Sequence, residues 1–143
     1  ERPHVMSNSY GGGGYSQAFY DVIEAAGSLG ILFVASAGND GRNTDVPLFV
    51  KYPASYDLPN IVSIGASDQN DEMGWFSNFG PSSVHLAAPG VDINSTLPAG
   101  PTVTDPAALT GNLSGTSMSC PIVAGAAALL LSARPEATFQ ELK

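Results

Sequence analysis

Basic residues and cysteine are both scarce in this chain. It has one cysteine, Cys120, in 143 residues, so a fold held together by internal disulfides is excluded. Five Lys and Arg stand against thirteen Asp and Glu, which gives a net charge of −8. That balance disfavours nucleic acid and anionic membrane surfaces as partners, and it is typical of a soluble acidic domain.

Several sequence features of other protein classes are also absent. No apolar run reaches the length expected of a membrane span, and residues 1–10 lack the charged start and apolar core of a signal peptide. The glycines at 11–14 lack the Gly-Lys-Ser/Thr ending of a phosphate-binding loop, so a nucleotide-binding domain is disfavoured. There is no internal repeat and no linker. With 43% hydrophobic residues, the chain is expected to form one globular unit, 1–143.

Short apolar stretches alternate with helical periodicity along the chain. That order predicts an α/β domain with a parallel sheet. The stretches 39–59 and 89–114 are rich in Gly, Pro and Asn and are expected to be mainly loop. The predicted strands are 5–9, 31–36 and 61–66, with short strand-like pieces at 75–79 and 84–88, and the predicted helices are 15–29, 116–133 and 136–143.

Ser117 is the strongest candidate for a chemical role. It falls at the start of an apolar, Ala-rich helix, where free N–H groups and the helix dipole favour a developing negative charge. A serine in that place suits nucleophilic attack on a carbonyl. Ser9, Tyr10 and Asn39 fall at the carboxyl ends of predicted strands, where parallel sheets bind ligands. A purely structural alternative remains for two of them, with Ser117 as a helix cap and Asn39 as a turn residue.

The segment around Ser117 also resembles a known motif. Residues 114–121, Ser-Gly-Thr-Ser-Met-Ser-Cys-Pro, with Val-Ala-Gly at 123–125, resemble the nucleophile motif of the subtilisin family of serine proteases. Further segments resemble that family in the same order along the chain. They are 5–12, Ala-Ser-Ala-Gly-Asn at 35–39, Tyr-Pro-Ala at 52–54, Phe-Ser-Asn-Phe-Gly at 76–80 and Ala-Ala-Pro-Gly-Val at 87–91.

The resemblance implies a fold and a set of site residues. The fold would be three layers, a parallel sheet flanked by helices. Ser117 would be the nucleophile, with the Asn39 side chain and the Ser117 N–H stabilising the oxyanion. Two uncharged walls would form the pocket for a substrate side chain, which favours apolar or aromatic residues of a polypeptide substrate. Their members are Ser9, Tyr10 and Gly11 on one side, and Ala37 and Gly38 on the other.

The family's histidine and aspartate motifs are absent. His4 and His85 stand in contexts unlike the family's catalytic histidine, and subtilisins carry both partners before the serine. The resemblance therefore implies that 1–143 is the carboxyl-terminal part of a peptidase catalytic domain, an incomplete fold whose missing upstream half supplies them. We expect an endopeptidase in the complete protein and an inactive chain in isolation. The alternative is a non-catalytic peptide-binding pseudoprotease domain.

Cofactor and compartment are also given only by the resemblance. No cofactor or metal is expected in the chemistry, while calcium is an optional ligand near the carbonyls of Ala54 and Tyr56. The family resemblance implies a secreted or extracytoplasmic protein. Cys120 lacks an electropositive neighbourhood in the sequence and is expected to be a small buried residue.

Overall fold

A computed structural model describes residues 2–97 and 109–143. Its main sheet has four parallel strands in the order β1-β2-β3-β4. They are β1 (Val5–Asn8), β2 (Leu32–Ser36), β3 (Ile61–Ser67) and β4 (Leu86–Pro89). The helices are α1 (Gln17–Ser28), α2 (Thr116–Ala133) and α3 (Phe139–Leu142). A separate antiparallel pair consists of β5 (Ile93–Thr96) and β6 (Thr110–Leu113), and Pro47–Phe49 form a 3-10 turn.

The side chains of β2 alternate between the two helical layers, as pleating requires. Leu32 and Val34 belong to one buried cluster together with Cys120 of α2. Phe33 belongs to a second cluster with Ile23 of α1. All five residues of β2 are buried, which is typical of a parallel strand covered on both faces. The expected three-layer α/β arrangement is thus confirmed.

Local sequence signals explain where α1 begins and ends. The Ser16 side chain caps it by accepting a hydrogen bond from the Phe19 N–H across 3.4 Å. The helix ends at Ser28, and Gly30 follows with φ +77°, a conformation that favours glycine. The Ile31 N–H then bonds back to the Ala26 carbonyl, which directs the chain into β2. The apolar stripe predicted for 15–29 is therefore a helix that packs beside the strand it precedes.

Three predicted elements differ from the structure. Residues 75–79 form no strand, because Trp75 and Phe76 lie in a turn and Phe79 makes a single bridge to Asn43. The stretch 89–114 was expected to be loop, yet it contains β5 and β6; its residues 98–108 lie outside those described. The helix predicted over 136–143 shortens to α3, because Thr138 and Glu141 form a capping box that starts it later.

The α2 helix has 18 residues and a mean hydropathy of 1.6. By length and composition alone, it is long and apolar enough to span a membrane. The expectation that no apolar run reaches this length is therefore wrong for Thr116–Ala133. Cys120, Ala124 and Ala127 of α2 pack against Leu32 and Ile64 of the sheet. That packing is typical of a core helix in an α/β domain.

Candidate active site

The carboxyl ends of β1 and β2 meet the amino-terminal end of α2. Ser9 follows β1 directly, Asn39 lies three residues beyond β2, and Ser117 is the second residue of α2. The first N–H groups of a helix have no carbonyl one turn earlier to bond, so this end can receive a negatively charged oxygen. The fold thus brings together the three residues that the sequence placed at strand ends and at a helix start.

Asn39 is held against α2 by its side-chain oxygen. Its Oδ1 accepts hydrogen bonds from the N–H and from the Oγ1 of Thr116, each across 2.9 Å. A backbone N–H can only donate, so the atom facing it must be the amide oxygen. The Nδ2 group is therefore the other end of the amide, and within 2–97 and 109–143 no hydrogen bond from it is formed. This orientation leaves a donor for an incoming oxygen.

Ser117 and Ser9 contact each other through two hydrogen bonds. The Ser117 hydroxyl donates to the Ser9 carbonyl across 3.3 Å, and the Ser9 hydroxyl donates to the Ser117 carbonyl across 2.8 Å. Ser117 is half-buried, while Ser9 and Asn39 are exposed. The serine hydroxyl is thus accessible and fixed next to the end of β1.

A cavity of about 350 Å³ opens beside Ser117. That volume is within the usual range for ligand pockets, about 300–1,000 Å³. It contains four of the five residues expected to form the pocket walls, and both candidates for the chemistry. The lining residues are Ser9, Tyr10, Gly11, Gly12, Ser36, Gly38, Asn39, Asp40, Lys51, Thr116 and Ser117.

Ala37 is the predicted wall residue that the cavity lining does not include. It is buried, at 1% exposure, and its carbonyl accepts a hydrogen bond from Asn78 Nδ2 across 2.9 Å. Tyr10 is half-exposed, and its hydroxyl donates to Asn8 Oδ1 across 3.2 Å. Partial burial raises the pKa of the Tyr10 phenol, so it stays a neutral donor. The wall at 9–11 is therefore present, and the opposite wall is made by Gly38 without Ala37.

The cavity contains a pair of charged residues, although its walls were expected to be uncharged. Lys51 Nζ lies 3.0 Å from Asp40 Oδ2, and both residues line the cavity. The hydrogen bond from Lys51 is the largest cause that lowers the Asp40 pKa below its usual value, and the bond from Asn78 lowers it further. The Asp40 carboxyl is therefore ionised near neutral pH. The cavity is thus polar at this side although its net charge is balanced.

The glycine-rich segment after Tyr10 runs close to the loop at Tyr52. The Gly12 N–H donates to the Tyr52 carbonyl across 3.1 Å, and Gly13 forms an antiparallel bridge to the same residue. A Cβ added to Gly11 would lie 3.1 Å from that carbonyl, which explains why a residue without a side chain stands here. The peptide bond between Tyr52 and Pro53 is cis.

Both histidines lie at the amino-terminal ends of the strands, away from the cavity. His4 immediately precedes β1 and His85 immediately precedes β4, whereas Ser117 lies beyond the carboxyl ends of the strands. His85 Nδ1 accepts a hydrogen bond from the Ser63 N–H across 3.0 Å, and burial lowers the pKa of its imidazole. In the part of the chain that the structure describes, no histidine is hydrogen-bonded to Ser117.

The loop at Ala54 and Tyr56 offers few side-chain oxygens to a calcium ion. The Tyr56 carbonyl already accepts a hydrogen bond from the Leu58 N–H across 2.9 Å. Asp57 is the one carboxylate among the residues lining the adjacent cavity, which Lys143 also lines. Calcium prefers six to eight oxygen ligands, and residues 2–97 and 109–143 contain no cluster of three or more acidic, His or Cys side chains. Calcium stays a prediction from the resemblance, and no step below depends on it.

Three residues of this site had no assigned role in the sequence reading. Thr116 was recognised only as part of the motif, although it holds the Asn39 amide. Lys51 stands in a loop without periodicity, so nothing in the sequence pointed to the cavity. Asn78 was recognised as part of Phe-Ser-Asn-Phe-Gly. Its partners in 37–42 lie 36 or more positions away in the sequence, so the motif did not indicate this contact.

Comparisons with known proteins show which proteins this chain resembles. The chain is 40% identical over 139 residues to Subtilisin NAT from Bacillus subtilis subsp. natto, covering 97% of this chain and 33% of that protein. It is 37% identical over 144 residues to a thermostable alkaline protease from Halalkalibacterium halodurans, covering 98% of this chain and 34% of that protein. The chain thus spans about a third of the length of these relatives.

Solved structures and a family model give the same result. A cold adapted subtilisin-like serine proteinase matches with a TM-score of 0.80 at 33% identity, over 99% of this chain and 46% of that one. A protease structure from Pseudoalteromonas arctica matches with a TM-score of 0.82 at 32% identity, over 97% and 42%. The subtilase family model matches residues 1–143. The chain therefore belongs to the subtilase family.

Proposed function

We propose that this chain supplies the nucleophile and the oxyanion-binding groups of a subtilisin-like serine endopeptidase. The observation that carries the proposal is the orientation of Asn39, whose Oδ1 is engaged by Thr116 while its Nδ2 forms no hydrogen bond within the described residues. Asn39 lines the same cavity as Ser117. Preorganised donors of this kind stabilise the charge that develops during acyl transfer. The similarity to subtilisins and to an alkaline protease supports the same reaction class.

In the proposed reaction, the Ser117 hydroxyl oxygen attacks the carbonyl carbon of a peptide bond. The carbonyl oxygen becomes an oxyanion that accepts hydrogen bonds from Asn39 Nδ2 and from the Ser117 N–H. The base takes the hydroxyl proton during the attack and returns it to the amine, which the intermediate expels as the peptide C–N bond breaks. An acyl ester on Ser117 remains for water to hydrolyse. Before attack, the hydroxyl must exchange its bond to the Ser9 carbonyl for a bond to a base.

We propose that the base and its orienting carboxylate come from protein outside these 143 residues. His4 and His85 support this, because both lie at the edge of the sheet opposite Ser117. The substrate would be a polypeptide, with one side chain in the cavity of about 350 Å³. The pair of Lys51 and Asp40 leaves this side of the cavity without a net charge, and the preference for an apolar or aromatic side chain is proposed from the resemblance. Secretion is proposed from the resemblance to subtilisins alone.

A fluorophosphonate probe tests the proposal directly, since it labels a serine only when a base activates it. The full-length protein should be labelled and should cleave a casein substrate, and Ser117→Ala should abolish both. Ser119→Ala, at a buried hydroxyl in the same helix, is the control that should remain active. The isolated 143-residue chain should not be labelled. Peptide binding by a full-length protein that resists labelling would favour the non-catalytic peptide-binding domain.

A further inference from the structure

Asn78 is a fully buried polar residue whose side chain is bonded to the loop that carries Asn39. Its Oδ1 accepts hydrogen bonds from the N–H groups of Asp40 and Arg42, across 3.1 and 3.0 Å. Its Nδ2 donates to the Ala37 carbonyl across 2.9 Å and to Asp40 Oδ2 across 3.3 Å. Both ends of one amide thus bind the segment 37–42.

The backbone of Asn78 adds a further contact to the same loop. Its N–H donates to the Gly38 carbonyl across 2.9 Å. A Cβ on Gly38 would lie 2.5 Å from Asn78 Nδ2, and Gly38 has φ +101°, which favours glycine. The residues on both sides of Asn39 are therefore bonded to Asn78, while Asn39 itself is bonded to Thr116. Asn78 fixes the backbone from which the Asn39 side chain extends.

We propose that Asn78 is a positioning residue for the Asn39 amide. It touches neither the cavity nor Ser117, so it acts through the loop 37–42 and not on the substrate. This inference rests on the proposed function, because positioning matters for rate only if Asn39 receives an oxyanion. Small displacements of a group that stabilises the transition state are costly, up to about 10²-fold in rate for roughly 1 Å.

Asn60 offers a matched control in the same domain. It is also an asparagine at 0% exposure, and its Nδ2 donates to two carbonyls, of Ile23 and Ile31, across 3.0 and 3.2 Å. It stands just before β3, at the edge of the sheet opposite Ser117. Loss of a buried amide should lower stability in both Asn78→Ala and Asn60→Ala, since each leaves backbone groups without their partners. Only the former should lower the rate.

The kinetic test uses the full-length protein and a peptide substrate. We expect Asn78→Ala to lower kcat by about ten- to a hundredfold with little change in KM. The loss should vanish in the Asn39→Ala background, because the group being positioned is then absent. Multiplicative losses in the double variant, or an equal fall of kcat in Asn60→Ala, would overturn the proposal. Should Asn78→Ala not fold, Asn78→Asp keeps the Oδ1 acceptor and replaces the Nδ2 donor with a carboxylate oxygen facing the Ala37 carbonyl and Asp40 Oδ2. It should lower kcat in the same way, and an unchanged kcat would overturn the proposal.

A second readout does not depend on catalysis. The Thr116 N–H is bonded to Asn39 Oδ1, whereas the nearby Met118 N–H is bonded to the Gly115 carbonyl. Hydrogen exchange at Thr116 should accelerate by about tenfold or more relative to Met118 in Asn78→Ala, and by equal factors at both in Asn60→Ala. An inactive wild type with this response would refute the proposed function and keep Asn78 as a positioning residue. An active wild type whose Asn78→Ala variant lacks the faster exchange at Thr116 would keep the proposed function and refute the positioning role of Asn78.

Discussion

The Ser9 hydroxyl donates a hydrogen bond to the Ser117 carbonyl across 2.8 Å. That carbonyl has no hydrogen-bond donor within α2 itself. Within a helix, that carbonyl would accept from the N–H four residues later, but the residue there is Pro121, which has no N–H. The end of β1 therefore completes the first turns of α2. The same contact ties the candidate nucleophile to one wall of the cavity.

Ser9→Ala should loosen this attachment. The bond lies at an exposed position, so water can replace the donor, and the free energy of unfolding should fall by no more than about 1 kcal/mol. We expect a severalfold lower kcat in the full-length protein, because Ser117 is held less firmly. Ser28→Ala removes a similar exposed serine-to-carbonyl bond, to Glu24, far from the site. Equal kinetics for both variants would contradict a role for Ser9 in holding Ser117.

Asn39→Ala should lower kcat and leave KM nearly unchanged, since the amide is directed at charge that exists only in the transition state. A loss of about 10²–10³ in kcat is what removal of such a donor costs in subtilisin, a member of the same family, and the magnitude is taken over from there. Steady-state kinetics on a chromogenic peptide measure both constants. A raised KM with unaltered kcat would assign Asn39 to ground-state binding.

Lys51→Met should change the pH dependence of stability. The Asp40 pKa is lowered in the folded protein, chiefly by the hydrogen bond from Lys51. The stabilisation is therefore present above the ordinary carboxyl pKa and is lost as pH falls through the lowered folded value. Urea unfolding should show the variant less stable than wild type at pH 7, with the difference vanishing toward acid.

Arg134→Met, at the ion pair with Glu141, is the control and should not reproduce this profile. Hydrogen bonds from Thr138, and not Arg134, are the larger cause of the lowered Glu141 pKa. A difference that is constant down to low pH would contradict the ion pair as its source.

The same ion pair should influence which side chain enters the cavity. Lys51→Met leaves the Asp40 carboxylate unbalanced, so the kcat/KM ratio for Arg over Phe before the cleaved bond should rise. Asp40→Asn should raise the ratio for Glu over Phe. Both residues are partly exposed, with side chains 29% and 47% accessible, so we expect shifts of about two- to fivefold, the range of exposed ion pairs. Combining both substitutions should restore the wild-type preference. Equal changes on all three substrates would mean that the pair lies outside the substrate path.

The sequence predicted most of the sheet and the place of the site. Continuous apolar stretches such as 31–36 are specific for buried parallel strands, and the start of α2 at Thr116 matched its prediction because small residues precede a long apolar helix. The short β5 and β6 were missed, since both are largely exposed and carry little periodic signal. Residues 75–79 had a strand-like composition, yet the Ser77 side chain bonds to the Ala66 N–H and its own N–H closes a turn on Gly74.

Side-chain partners across long separations were beyond the sequence. The Asn39 contact with Thr116 joins residues 77 positions apart, and Lys51 enters the cavity from a loop with no regular pattern. The resemblance implied that Ala37 forms part of a pocket wall. Ala37 is instead 1% exposed and is not among the residues that line the cavity. Local patterns specified the elements, but the contacts between loops depend on the assembled sheet.

The last prediction concerns the isolated chain of 143 residues, which we expect to associate or to unfold without a sharp transition. The α2 helix exposes a large apolar area, with Leu129 at 73%, Ile122 at 42% and Leu130 at 39%. Grooves of about 370 and 470 Å³ run along it, and within the described residues β1 and β4 each pair on one side only. Such surfaces and open edges promote pairing between chains.

Thermal unfolding and light scattering at several concentrations measure this behaviour. Leu129→Gln should reduce scattering because it lies on the exposed face of α2. Leu48→Gln, at a leucine in the 3-10 turn that is 83% exposed, is the control and should have little effect, since that leucine stands apart from the helix face. A monodisperse monomer with a sharp and reversible transition would mean that the face of α2 needs no cover. The residues 1–143 would then form a self-sufficient domain.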